Sequence, residues 1–426
     1  MRATNLRDAT ESVSFAEAIR KGLGRNRGLY MPDRIEALDD VDAVLEADPA
    51  SRAVAILGTL IGDEIAPDAL RGIVERAFTW STPLVPVTDR ISALELFHGP
   101  TLAFKDTGAR FMAEALAHLH AGQRVTILTA TSGDTGAAVA HAFHGAPGID
   151  CVVLYPKGRI SRLQEQLFCT LGGNITTVAV EGTFDACQAL VKQAFADPEL
   201  VAGCGLNSAN SINLARLVAQ VTYYAEALAQ LPSDQRDRAL FCVPSGNFGD
   251  LTAGLMGKAM GLPIHRFIAA TNANDTVPRY LATGTWTPKA TVPTLSNAMD
   301  VSEPSNWPRI EALMTRRGWP LSTLGHGVVD DAGTEAAIRR AHADHDYVVC
   351  PHGAVAFDVL ERQLAEDETG VFLCTAHPAK FKETVDRVLG IDLPLPPELA
   401  SRADLPLLSK TIAPDFATVR EILTAL

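Results

Sequence analysis

The chain of 426 residues has no CxxC pair, no apolar run long enough to span a membrane, no internal repeat and no low-complexity tract. Its seven cysteines stand apart at positions 151, 169, 187, 204, 242, 350 and 374, most of them in apolar segments. An odd, scattered set excludes a disulfide frame or a paired-thiolate zinc site, and no metal is expected. It reads as reduced thiols in the core of a cytoplasmic protein. Positive charge is also in short supply: Lys and Arg number 37 against 50 Asp and Glu, a net charge of −13. That balance excludes nucleic acid or an anionic membrane as a general partner, but not a small anion held in a local pocket. The opening residues, Met1-Arg2-Ala3-Thr4-Asn5, lack the apolar core of a signal peptide.

What is present is a globular composition, 47% apolar and 20% charged, with length for two or three domains. Residues 1–95 are expected to form a mainly helical N-terminal domain. Ser14-Phe15-Ala16-Glu17 has the form of a capping box, and 53–61 and 69–77 read as amphipathic helices. Thr82-Pro83-Leu84-Val85-Pro86 reads as a linker. From residue 96 strands and helices alternate. Strands are expected at 125–130, 151–155, 176–180, 239–243, 267–270, 347–350 and 371–374. Helices are expected at 137–143, 184–194, 212–229, 251–260 and 333–342. Buried strands alternating with helices imply an α/β protein with parallel sheets covered on both faces. The polar run 231–237 divides a smaller domain, 96–230, from a larger one, 231–426. The Pro-rich stretch 393–397 is expected to lie as a surface strap.

The chemistry is expected around Lys105. It lies in His98-Gly99-Pro100-Thr101-Leu102-Ala103-Phe104-Lys105-Asp106, where an apolar segment turns into a helix with Asp106 or Thr107 as N-cap. A helix N-terminus and apolar neighbours both disfavour an ammonium, and a lysine of lowered pKa suits Schiff-base chemistry. Three strands end in suggestive loops, where open α/β sheets gather ligands. Thr131-Ser132-Gly133-Asp134-Thr135-Gly136 and Pro244-Ser245-Gly246-Asn247-Phe248-Gly249-Asp250 each lead into a helix whose free N–H groups suit an anion. Neither is a Walker A loop or a GxGxxG turn. The third, Thr375-Ala376-His377-Pro378-Ala379-Lys380-Phe381, puts a threonine hydroxyl at a strand end, with His377 before a proline either a general acid or, more commonly for such a position, a satisfied loop residue. A further segment, 207–216, gathers Asn210, Ser211 and Arg216, a set suited to an oxyanion.

These four motifs, in this order and spacing, resemble the bacterial and fungal branch of the threonine synthase family, and the likeness extends to Leu295-Ser296-Asn297-Ala298-Met299-Asp300. The resemblance implies the tryptophan synthase β-like fold (fold type II) of pyridoxal-phosphate enzymes. It implies conversion of O-phospho-L-homoserine and water to L-threonine and phosphate. Lys105 would be the catalytic, cofactor-bearing lysine. Gly246, Asn247, Phe248, Gly249 and Asp250 would cradle the cofactor phosphate, and Thr375 would meet the pyridine nitrogen. Ser132, Asp134, Thr135, Asn210, Ser211 and Arg216 would bind substrate. Relatives in the wider fold often carry asparagine at the position of Asp134, touching the cofactor's 3′-oxygen. A carboxylate there must be protonated or turned away. Domain closure and a monomer are expected. Two other readings stay open: a dehydratase on the same fold, with no need of Arg216, and a cofactor-free metabolite-binding protein.

Overall fold

The computed structural model describes residues 1–119 and 124–426. Two parallel sheets carry the architecture. The larger has six strands, in the order Gly325–Val328, Arg266–Thr271, Ala239–Pro244, Thr369–Cys374, Ile91–Glu95 and Leu84–Pro86. Each neighbouring pair is parallel except the last. The smaller has five parallel strands, in the order Lys410–Ile412, Ile175–Val180, Ile149–Pro156, Val125–Ala130 and Leu206–Asn207.

Val125–Ala130 and Ala239–Pro244 are buried at every residue. Helices cover both faces, so these strands read as continuous apolar runs and not as alternation. Side chains still alternate between two cores. Ile127 and Val153 point into one shared with the larger sheet's Phe241 and Val243. Leu128, Val152 and Leu154 point into a separate outer core. The shared core also takes up Phe15, Ile56 and Leu60 of the N-terminal region, so the inner faces of both sheets are packed as one body.

The structure departs from the sequence reading in four places. The N-terminal region is not only helical. Beside helices Pro49–Ile61 and Pro67–Ala77 it holds an antiparallel sheet of Arg2–Asn5, Asp8–Ser14 and Tyr30–Pro32. These strands are short and partly polar, so they leave no apolar period. The capping box does form: Ser14 Oγ accepts from Glu17 N and Glu17 accepts from Ser14 N, both at 3.1 Å. Second, 82–86 is not a linker: Leu84–Pro86 is the edge strand of the larger sheet and Ile91–Glu95 the strand beside it, so a boundary at 95 cuts through that sheet. Third, Lys410–Ile412 pairs with Ile175–Val180, and Val419 and Leu423 join the outer core of the smaller sheet. The chain therefore ends on the smaller sheet. Fourth, residues 347–350 form no strand but lead into helix Pro351–Gln363, where Cys350 Sγ accepts from Gly353 N at 3.4 Å.

One buried cation ties three regions together. Arg309 is fully buried in helix Trp307–Arg317. It donates to Tyr30 O (3.0 and 2.7 Å), Ile212 O (2.8 Å) and Asn306 Oδ1 (2.7 Å). Burial pulls its guanidinium down to about 9, since its partners are neutral oxygens. Arg309→Met would strand these acceptors and is expected to lower stability by about 3 kcal/mol. Denaturant unfolding measures this; a loss under about 1 kcal/mol would mean that Arg309 does not tie these regions together.

Candidate functional site

Helix Lys105–Leu119 begins at the lysine itself. Asp106 is therefore inside the helix and not its cap. Its buried carboxylate turns back to accept from Thr101 N (2.9 Å) and Thr101 Oγ1 (2.6 Å). The segment before Lys105 is sewn to the carboxyl end of Thr369–Cys374. Phe104 N donates to Thr375 O at 2.9 Å, His377 N to Leu102 O at 3.0 Å, and Ala103 bridges Ala376. Lys105 is thus held at the end of a central strand of the larger sheet, on a helix that packs in the smaller domain. That packing is close: a Cβ on Gly108 would lie 3.0 Å from Arg216 O.

Lys105 lines a cleft of about 560 Å³ together with Thr375, Gly246, Asn247, Phe248, Gly249 and Asp250. From the smaller domain come Thr135, Ser211 and Arg216. Desolvation pulls the Lys105 ammonium down to about 8; Asp134 and Asp250 oppose this, while Arg216 and Lys380 add to it.

The Gly246 loop is a backbone cradle. Phe248 takes the left-handed conformation (φ 61°, ψ 19°) and starts helix Gly249–Ala259. A Cβ on Gly246 would sit 2.8 Å from Met299 Cα, so only glycine lets the loop lie against 298–299. Among the described residues the N–H groups of 246–249 find no acceptor in the protein. Burial raises the Asp250 carboxyl to about 7, with the Leu251 N–H and Lys105 opposing. Arg216 is buried too. It donates from Nη1 to Ala209 O at 2.8 Å, and its Nε has no partner among the described residues. Burial lowers its guanidinium to about 10, against the pull of Asp106.

Three of the residues expected at the site do not line the cleft. Ser132 is half-buried in its loop. Asn210 Oδ1 accepts from the Thr129 hydroxyl. Asp134 is turned toward Lys380 Nζ (2.7 Å) and Gln164 Nε2 (3.0 Å). Burial alone would raise Asp134, but Lys380 and Lys105 hold its carboxyl well below the usual range. Of the two arrangements open to a carboxylate there, it is turned away and ionised. His377 is a satisfied loop residue, its Nδ1 accepting from Ala379 N at 3.1 Å.

Sequence reasoning missed Gln220 and His352, which also line the cleft, and the role of Lys380. His352 Nε2 accepts from Ala298 N at 3.1 Å, which assigns its proton to Nδ1. Burial lowers its pKa to about 4, with Asp134 opposing. Pro351-His352-Gly353 reads as an ordinary helix start, and only its proximity to 298–299 marks it.

These features fit pyridoxal phosphate. A glycine cradle with free N–H groups suits its phosphate, a lysine near neutrality suits its aldehyde, and an orphaned guanidinium Nε remains for a second anion.

Comparison with known proteins agrees. The family model described as "Pyridoxal-phosphate dependent enzyme" matches residues 78–376. Those described as "Threonine synthase N terminus" and "Threonine synthase, C-terminal" match 4–78 and 353–423. Threonine synthase of Haemophilus influenzae is 58% identical over 423 residues, 99% of each chain. The crystal structure of threonine synthase from Escherichia coli is 57% identical and superposes with a TM-score of 0.96 over 100% of both chains. That of pyridoxal-phosphate-bound threonine synthase from Brucella melitensis is 32% identical, with a TM-score of 0.92 over 100% of this chain and 99% of that one.

Asp250 makes a pH prediction. Its folded pKa of about 7 lies above the ordinary aspartate value of 3.8, so the folded state binds the extra proton between those values. Its contribution to stability therefore falls as pH rises from about 4 to 7. Asp250→Asn should gain stability relative to the parent at pH 8 compared with pH 4. An equal difference at both pH values, read by denaturant unfolding, would show that Asp250 does not carry this proton.

Proposed function

The chain belongs to the threonine synthase family, and we propose that this cleft converts O-phospho-L-homoserine and water to L-threonine and phosphate with pyridoxal phosphate held at Lys105. One observation carries the assignment of the site. A lysine lowered to about 8 shares a cleft with a backbone anion cradle on one side and a buried arginine on the other.

When bound, the cofactor supplies an electron sink for negative charge on the substrate carbons. Lys105 would hold it through its amine, and the N–H groups of Gly246, Asn247, Phe248 and Gly249 would hold its phosphate. The Thr375 hydroxyl would meet its ring nitrogen as a neutral partner. Asp250, raised to about 7 by burial, can stay protonated beside that phosphate.

With its amine near neutrality, Lys105 is the base for the proton on the substrate's α-carbon and returns a proton there as product forms. Arg216, Thr135 and Ser211 hold the γ-phosphate. Arg216 is the principal donor because charge-assisted bonds strengthen as the leaving oxygen gains charge. Ser132 and Asn210 stay outside the walls of this anion site, and Asp134 acts on Lys105 from a distance. The β-carbon gives up a proton as the γ-phosphate leaves, the γ-carbon takes up a proton to become the methyl group, and water then adds its oxygen at the β-carbon and releases a proton. The buried walls, with His352 neutral among them, keep water from the α-carbon before that.

The protein would be a cytoplasmic monomer acting on a small molecule, without nucleic acid or membrane. Its seven cysteines are free, as a reducing compartment requires. Among the described residues no helix is long and apolar enough to cross a membrane. The exposed large apolar side chains among the described residues are few: Trp286, Val292 and Val328, and a short group of Leu405, Leu407 and Leu408 before the last strand.

Incubation of the holoenzyme with O-phospho-L-homoserine should release phosphate and threonine in equal amounts; phosphate with 2-oxobutyrate would mean that water does not reach the β-carbon, and no phosphate would favour a dehydratase. Lys105→Ala should lower turnover by roughly 10³-fold or more and remove the lysine-linked cofactor absorbance. Arg216→Ala should raise KM by roughly 10- to 100-fold, and unchanged kinetics would remove Arg216 from the phosphate site.

A further inference from the structure

A buried chain of polar side chains runs from the smaller domain to the helix that carries Lys105. Gln164, in helix Arg162–Cys169, donates to Asp134 Oδ1 at 3.0 Å. Asp134 opens helix Asp134–Phe143 and lies 2.7 Å from Lys380 Nζ, with side-chain exposures of 4% and 0%. Lys380 belongs to the short helix Pro378–Phe381, just beyond the larger sheet's strand Thr369–Cys374. Its Nζ also donates to Thr101 O at 2.8 Å. Thr101 in turn donates to Asp106 Oδ2 (2.9 Å) and Oδ1 (2.6 Å), one residue beyond Lys105. Every member of the chain is buried.

A buried ion pair stabilises a fold no better than packed apolar side chains of the same shape. Its position gives Lys380 and Asp134 another use. They join the two domains on either side of Lys105, and they put one cation and one anion near it. The other charges facing Lys105 are Arg216, from helix Leu214–Ala219, and Asp250, from helix Gly249–Ala259. His352, in helix Pro351–Gln363, is buried and neutral nearby.

We propose that Lys380 is a positioning residue for Lys105, acting with Asp134 to lock the two sheet domains together around that lysine and to balance the charge it meets. This role presupposes Lys105 as the reacting lysine. Borohydride reduction of the wild-type holoenzyme tests that separately, because the cofactor must be recovered on Lys105 and on no other lysine.

The lock is tested with Lys380→Met, Asp134→Asn and the double variant. The pH dependence of acetic anhydride labelling of Lys105 is read by peptide mass spectrometry on the cofactor-free full chain. Removing the nearby cation should move the labelling midpoint up by roughly half a unit or more, and removing the anion should move it down by as much. The double variant removes one charge of each sign and should return the midpoint to the wild-type value. In the holoenzyme all three should lower kcat by roughly tenfold or more with KM changed less than about threefold, as expected for lost positioning. Midpoints that stay put, or that move the same way in both single variants, overturn the proposal. Should the single variants fail to fold, the double variant strands no buried charge and decides: a wild-type kcat there overturns the lock.

Discussion

The cleft depends on one constraint: an amine must leave water while charges of both signs stand around it. Desolvation, Arg216 and Lys380 all push Lys105 toward the neutral amine, and Asp134 and Asp250 push it back. Two unit charges about 4 Å apart interact by about 4 kcal/mol at the effective dielectric of a protein boundary. Displacement of any of the four groups would therefore change the balance that sets the amine's protonation. The structure meets this with rigid attachment. Lys105 starts a helix, the residues before it are bonded to the 375–377 segment, and the charges around it ride on helix starts or buried turns.

The anion cradle solves a related problem with backbone. A phosphate beside a lysine needs donors that do not bring further cations into a cleft that already holds Lys105 and Arg216. Unpaired N–H groups at the start of Gly249–Ala259 provide them. The close approach at Gly246 and the left-handed Phe248 aim them at one place. Asp250 sits in the same turn, and its rise to about 7 lessens the repulsion between its carboxyl and an anion held there. The cradle and the lysine arise from different chain segments, yet each presupposes the electrostatics of the other.

Much of this was legible in the sequence because the signals were long or chemically specific. Val125–Ala130 and Ala239–Pro244 are runs buried on both faces, which only a covered parallel strand requires. The Gly246 loop and Lys105 were visible because glycines after a strand, and a lysine at a helix start, each carry a physical reason. The illegible parts were short or non-local. Tyr30–Pro32 and Lys410–Ile412 are three residues each and become strands only through distant partners. Ile91–Glu95 was counted with the helical N-terminal region because its neighbour in the sheet, Thr369–Cys374, lies far along the chain. Lys380 drew no reading of its own, since nothing near it in sequence announces Asp134 or full burial. Asp134 itself was visible as an oddity, and its explanation lay with a residue the sequence could not place beside it.

The same arrangement explains how a protein of net charge −13 can receive a phosphorylated substrate. Long-range repulsion is screened within about 10 Å at moderate salt, so the field inside the cleft is set by its walls. There Lys105 and Arg216 face the ligand, burial raises Asp250 to about 7 so that it carries only part of a charge, and Asp134 is matched by Lys380. The walls are therefore positive before any ligand arrives. Holding such like charges together opposes folding, and a bound anion relieves it. Ligands that carry phosphate should bind the folded chain far better than the unfolded one, so the binding that prepares the cleft for reaction also stabilises the fold around it.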